Sequence, residues 1–563
     1  MRFRRRRPAP PEGVAALLRA AFAAGVSDAT FNLTSVALAY RRWAEVNGTP
    51  TEQAEAAWML TVGTARDSMR RRLPADRERV LAEAESAAVE ASHHSAVAGR
   101  LEQAVVVLEH SRAILLTRQL GHLDARTRSL LVARGGSPLV QAYLAALRRR
   151  GDALRHAHNP RADPSDVIRR GQDTYDTGGL SPFEAAQAEI IKLGREILDL
   201  TGAEHFLDIP DFEEIRAAAD RRPLLYLAAM ANGGYALLVT RSGPPEHVPL
   251  PGLTTHWADG YRGEHADLDA CVNQLAAILA PFLRRLPAAW PDIGVIAMGR
   301  LGGLPVHAAI LVATESRASG PLAPRYLPNA RFAQGAPALS DTGRPAMLVV
   351  AVPDAPGEVP LAHAAAEAGR LREKYGAEVL LSPAAQQVLD RFDGADLVHF
   401  ICHGVGRAGD PLAGGLLLAG GLLTVQALMA RPPRRRPLVL ICACQGGVIG
   451  DVLPDEVVGL PSAMLQAGTA AVIAALWSVD ETMAVILLRR VHEMLRLGWP
   501  PDAALARTQL WLRQATRGEL QATYVDLYEE GLGQLDPRIA ARRAAHRPYH
   551  SCLHWAAFTY TGV

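Results

Sequence analysis

Residues 396–404 read DLVHFICHG, and residues 437–447 read PLVLICACQGG. Each is an apolar run of strand length that stops at a reactive side chain followed by glycine. The runs 397–402 and 438–443, apolar on both faces, read as buried strands of a sheet covered by helices on both sides. In such sheets chemistry collects at the carboxyl ends of the strands. His403 stands at the end of the first run and Cys444 at the end of the second. Delivered to one rim by neighbouring strands, they would form a thiolate–imidazole nucleophile. Gly404, Gly446 and Gly447 would let a substrate backbone approach closely.

Strand alternation separates the candidates. His399, Ile401 and His403 share one face, Cys402 points the other way, and Cys442 shares a face with Cys444. A zinc site from Cys402, His403, Cys442 and Cys444 would need ligands from opposite faces of one strand. Its Cys-x-Cys spacing also differs from the usual Cys-x2-Cys. No metal and no cofactor are therefore expected. Cys444 is the expected nucleophile, because a nearby imidazole raises its small thiolate fraction. His403 would favour that thiolate and then protonate the leaving amine. Cys271, Cys402, Cys442 and Cys552 read as small buried hydrophobes. His399 reads as structural, with its ring held by a backbone carbonyl.

His-Gly after an apolar strand, with Ala-Cys-Gln-x-Gly about forty residues on, resembles the CHAT domain. That domain is a caspase-like module of the cysteine peptidase clan that includes separase, gingipains and metacaspases. The resemblance continues through residues 456–459 (EVVG), 466–468 (QAG), 476–480 (LWSVD) and 554–558 (HWAAF), and back to 296–308 (IAMGRLGGLPVHA). It covers residues 206–563. It implies a caspase-like α/β/α sandwich, with residues 206–340 as the non-catalytic half and 341–563 as the catalytic half. It also implies that a backbone carbonyl holds the imidazole and that the N–H groups of Gly404 and Cys444 hold the oxyanion. Relatives that cut after arginine or lysine use acids in the S1 pocket. Asp480, on the loop with Trp477, is a candidate here, as are Asp455 and Glu456. All three acids also read as helix N-caps.

The implied activity is hydrolysis of peptide bonds in a protein partner, with a lean to basic P1 residues. Regulated relatives act in bacterial defence and cell death, and the resemblance carries that expectation here. The alternative is a catalytically silent scaffold or sensor of the same fold.

The chain has 563 residues, too many for one core, and about two to four domains are expected. Its net charge of +2 points to neither nucleic acid nor membrane. Local basic runs such as 434–436 read as solvated ends. Five cysteines in such a length make no disulfide framework and fit a reducing cytoplasm. Arg19 interrupts the apolar stretch after the basic start, so no signal peptide is expected. No run reaches the length of a membrane span.

Residues 1–205 read as helices, rich in Ala, Leu, Glu and Arg and broken by Gly, Pro and Asn. Gly63 and Gly99 lie 36 residues apart, near the tetratricopeptide period of about 34. Residues 99–116 resemble the last helices before many CHAT domains. A tetratricopeptide-like solenoid or bundle follows, expected to recognise the partner or to hold the enzyme in check. Beyond residue 206, strands are expected at 224–230 and 235–240 around Asn232-Gly233-Gly234, then at 293–298. The run Gly299-Arg300-Leu301-Gly302-Gly303 lacks the spacing of a phosphate loop. From 341 on, strands at 346–352, 377–381, 397–402, 438–443 and 470–476 alternate with helices, which means a mainly parallel sheet. Residues 414–423 read as a hairpin between the two reactive strands, and 555–560 as a last strand.

Overall fold

The computed structural model describes residues 14–27, 33–68, 74–120, 211–262, 266–334, 345–355, 357–405, 414–431, 433–442, 460–527 and 542–563. It also describes residue 339 and scattered positions between 134 and 196. The chain divides into two compact units. The described residues of the first lie chiefly within 14–115 and 211–333, and those of the second chiefly within 345–442 and 460–563. Among the described residues no helix is long and apolar enough to cross a membrane.

The first unit opens with helices α1 (Val14–Ser27), α2 (Leu33–Asn47), α3 (Pro50–Ser68), α4 (Pro74–Val97) and α5 (Leu101–Leu120). Phe22, Leu33, Tyr40, Met59 and Leu60 form one core among them. Tyr40 and Arg19 both bond the Glu55 carboxylate, at 2.8 and 2.7 Å. The two glycines that set the apparent repeat do unlike jobs. Gly63 sits inside α3, where a side chain would strike the Leu33 backbone at about 3.0 Å. Gly99, with φ +77°, forms the left-handed turn between α4 and α5.

Five strands follow: β1 (Leu224–Ala228), β2 (Gly234–Val239), β3 (Glu246–Leu250), β4 (Asp292–Ala297) and β5 (Ala323–Tyr326). They lie in the order β3-β2-β1-β4-β5. β1, β4 and β5 run parallel, while β1-β2 and β2-β3 are antiparallel. The expected Asn-Gly-Gly hairpin joins β1 and β2, and a side chain at Gly234 would meet the Ala228 carbonyl at 2.4 Å. β3 and β5 were not legible, because each carries a proline and too few apolar residues. Alternate residues face two layers. Leu225, Leu227, Ala236 and Leu238 pack with helices Leu268–Leu283 and Val306–Thr314. Leu224, Tyr226, Tyr235 and Leu237 pack with Val89, Val105 and Leu108 of α4 and α5. The N-terminal helices thus cover one face of this sheet.

The second unit holds β6 (Met347–Ala351), β7 (Glu378–Leu381), β8 (Leu397–Ile401), β12 (Leu438–Cys442), β13 (Ala471–Ala475) and β14 (Phe558–Gly562). Their order is β14-β13-β12-β8-β6-β7. All neighbours are parallel except β13 and β14. β8 and β12, the two strands singled out in the sequence, are hydrogen-bonded neighbours, with Ile401 opposite Cys442. Short strands β9 (Gly404–Val405), β10 (Gly415–Leu418) and β11 (Gly421–Thr424) make a separate small sheet that contains the expected hairpin. Two expectations shift. One of the helices expected between the strands is described as Leu460–Ala467, and residues 456–459 lie outside the described residues. Trp555 closes a short helix, Cys552–Trp555, capped by Ser551, so the last strand begins three residues later.

Helices cover both faces of this sheet. Ile401 of β8 packs with Ala364, Ala368 and Leu371 of the helix Ala364–Tyr375. His399 meets His492 of the helix Glu481–Arg496. The two helices are tied by a buried ion pair, Arg489 to Glu367 at 2.6 Å. Phe400 points the other way, onto Phe392 of the helix Ala385–Phe392. β8 therefore follows the expected alternation.

Candidate active site

β8 ends at Ile401, and the chain then leaves the sheet through Cys402, His403 and Gly404. His403 is 7% exposed. Its Nε2 lies 2.9 Å from the backbone carbonyl oxygen of Val359, on the loop after β6. A carbonyl only accepts, so this contact places the proton on Nε2 and leaves Nδ1 as the nitrogen that can exchange one. The imidazole is thus oriented by a backbone carbonyl.

Gly404 begins β9, opposite Leu416 of β10. One residue earlier, the Leu417 N–H donates to the His403 carbonyl at 2.8 Å. Bonded and non-bonded pairs alternate along an antiparallel ladder. His403/Leu417 and Val405/Gly415 are therefore the bonded pairs, and Gly404 falls between them. Its N–H points out of the ladder.

Cys444, Asp455 and Glu456 lie outside the described residues. Cys444 follows by two residues the Cys442 that pairs with Ile401, just as His403 follows Ile401 by two. Burial pushes the Cys402 and Cys271 thiols up to about 12, so neither ionises near neutrality. Cys442 and Cys552 are buried as well.

Asp480 is the N-cap of the helix Glu481–Arg496 and accepts from the Met483 N–H at 2.8 Å. It remains exposed at the end of the loop that follows β13. Trp477, on the same loop, donates its indole N–H to the Leu553 carbonyl at 2.8 Å. The next residue, Glu481, reaches sideways. Its two carboxylate oxygens accept from the Ala362 and His363 N–H groups at 3.0 and 2.8 Å. Sequence reasoning missed both Val359 and Glu481. Val359 acts through its backbone, which no residue type announces. Glu481 reads as an ordinary acid in the first turn of a helix.

His399 is structural, but its partner is not a carbonyl. Its Nδ1 lies 3.0 Å from Nε2 of His492, and both rings are buried. Burial, with His492 close by, pushes His399 well below its ordinary value. Burial, helped by Arg370 and Lys374, pushes His492 down to about 3. Both are neutral near pH 7.

In the glycine run after β4, Gly299–Gly303 forms a tight 3-10 turn that buries Leu301. Arg300 pairs with Asp259.

The sequence model of the CHAT domain matches residues 269–563. No curated protein matches the chain. Among solved structures, two crystal structures of the Saccharomyces cerevisiae separase–securin complex are similar, at 9% identity and TM-scores of 0.40 and 0.37. Each match covers 92% of this chain and 41% or 40% of the other, so the chain spans about two fifths of the separase length.

Proposed function

The chain belongs to the CHAT domain family, a caspase-like protease family, and from that premise we propose that it is a cysteine endopeptidase acting through Cys444 and His403. The observation that carries this reading is the imidazole itself. It stands at the end of β8, fixed through Nε2 on the Val359 carbonyl, on the strand paired with the one that leads to Cys444. In the proposed reaction the Cys444 thiolate attacks the scissile carbonyl. The oxyanion is received by the N–H groups of Gly404 and Cys444. Imidazolium at His403 then protonates the leaving amine, and a thioester remains. Water, deprotonated by the same ring, cleaves that thioester and restores the thiol.

Asp480, with Asp455 and Glu456, would favour an arginine or lysine before the cut, and Trp477 would wall the pocket. The N-terminal helices would recognise the protein substrate or restrain the enzyme until a regulator binds. A role in bacterial defence or cell death belongs to this proposal on family grounds alone.

The test exposes a proteome to the wild type or to Cys444→Ala and maps new N-termini by mass spectrometry. A small set of termini following Arg or Lys, absent with the variant, is expected. Termini that persist with Cys444→Ala sink the peptidase reading. No new termini from either protein favours a silent scaffold.

A further inference from the structure

The geometry points to Glu481 as a positioning residue that sets the orientation of His403 through the loop after β6; this rests on the peptidase reading above. The carbonyl that receives the His403 Nε2–H belongs to Val359, whose own side chain is 77% exposed. Packing of that side chain therefore does not hold the carbonyl in place. The loop is fixed at its two ends instead. At the start, the Val352 N–H donates to the Ile401 carbonyl at 2.9 Å, in register with β8. At the far end, Glu481 takes the N–H groups of Ala362 and His363 in a two-oxygen clamp. The His363 ring adds a 3.3 Å contact to the Thr482 hydroxyl. Between these points the loop closes on itself, with the Leu361 N–H on the Pro353 carbonyl at 2.8 Å and the Glu358 N–H on the Ala355 carbonyl at 3.1 Å.

The clamp occupies a vacancy in the local chemistry. His363 is the N-cap of the helix Ala364–Tyr375 and makes no capping bond with its own side chain. The N–H groups at that helix start need an acceptor, and a carboxylate suits the positive end of the helix. Glu481 supplies it from 118 residues further along the chain. A group that only capped this helix would affect stability alone. Because the capped turn ends the loop that carries Val359, losing the clamp also frees the carbonyl that aims the imidazole. Asp480, one residue before, caps the other helix, so the candidate S1 acid and the clamp share one helix start.

The readout is the alkylation rate of Cys444 by iodoacetamide against pH, followed by peptide-mapping mass spectrometry so that no substrate is needed. An ordinary thiol ionises near about 8.5, and pairing with imidazolium adds a reactive limb well below that. The wild type is expected to show this limb, and His403→Ala to lose it. Glu481→Ala is expected to lower the rate at pH 6.5 by about tenfold, while the rate at pH 10, where any thiol is ionised, stays within about twofold. Glu481→Gln keeps one acceptor oxygen and is expected to fall between them; it decides the matter if Glu481→Ala does not fold. A limb lost in His403→Ala but intact in both Glu481 variants overturns the positioning role and leaves the peptidase reading standing. A limb absent from the wild type, or unchanged in His403→Ala, overturns the dyad and the positioning role with it.

Discussion

The carboxyl ends of the parallel strands in the two units are finished in opposite ways. In the first unit the rim is plugged. Arg112 of α5, 1% exposed, donates to the carbonyl of Ala297, the last residue of β4, and to that of Pro328, just past β5, the latter at 2.9 Å. One turn earlier on α5, Glu109 accepts from the Tyr226 hydroxyl of β1 at 2.7 Å and from the Ala330 N–H at 2.9 Å. Helix α5 thus meets the end of β4, the residue just past β5 and Tyr226 within β1. In the second unit the chain leaving β8 carries a histidine whose Nε2 rests on a loop carbonyl, with a glycine N–H turned out of its ladder. The same strand-and-helix construction therefore carries a rim crossed by a buried arginine and glutamate in one unit, and one that leads into a carbonyl-held histidine in the other.

The largest expected effect sharpens that contrast. His403→Ala should lower turnover by about a thousandfold with little change in the melting temperature. Arg112→Met should leave turnover per folded molecule unchanged. A loss of turnover with Arg112→Met would break the division into a sealed and a reactive rim.

Arg112→Met should instead destabilise the fold by about 3 kcal/mol, measured by chemical denaturation. It strips two buried carbonyls of a donor and Glu109 of a neighbouring positive charge. A cost below about 0.5 kcal/mol, the range of ordinary surface substitutions, would mean that the plug is no more than packing.

The histidine pair beneath the reactive rim predicts a pH dependence. Both rings are neutral in the fold, with His492 held down to about 3, and both protonate near about 6.5 once unfolded. A depressed folded value means that their contribution is full above the unfolded value and is lost as pH falls toward the folded one. At pH 5 the loss is about 2 kcal/mol for His492, and the depressed value of His399 acts in the same direction. His399→Gln combined with His492→Asn should therefore flatten the fall in melting temperature between pH 7.5 and 5. An undiminished fall would place the acid sensitivity elsewhere.

The smallest effect concerns Asp480. Asp480→Ala removes a helix cap and should cost about 1 kcal/mol. Asp480→Asn preserves the cap and should leave stability within a few tenths of a kcal/mol. Any change in the Arg/Lys preference of the Asn variant thus reports on the pocket alone. Unaltered preference removes Asp480 from S1.

The apolar runs marked β8 and β12 directly, because burial on two faces leaves a continuous hydrophobic stretch. His403 and Gly404 followed from the abrupt end of one such run. The hairpin at Asn232-Gly233-Gly234 announced itself by turn chemistry. The 36-residue spacing of Gly63 and Gly99 joins two positions with different local roles. One serves a helix crossing and the other a left-handed turn, and spacing alone does not distinguish these. Pro-containing strands such as β5 escaped because hydrogen bonding to neighbours, not composition, makes them strands.

What the chain by itself determined is local: which residues are strand and which helix, where each strand stops, and which reactive group stands at its tip. These follow from periodicity and turn residues, whose physics acts over a few positions. Only the tertiary structure decided the order that sets β8 beside β12, the seating of Arg112 on carbonyls 185 and 216 residues away, the pairing of His399 with His492, and the reach of Glu481 to the loop that holds His403. Each joins segments far apart in the chain. Such pairings are chosen by packing and by the need to satisfy buried polar groups, and those demands exist only once the segments have met.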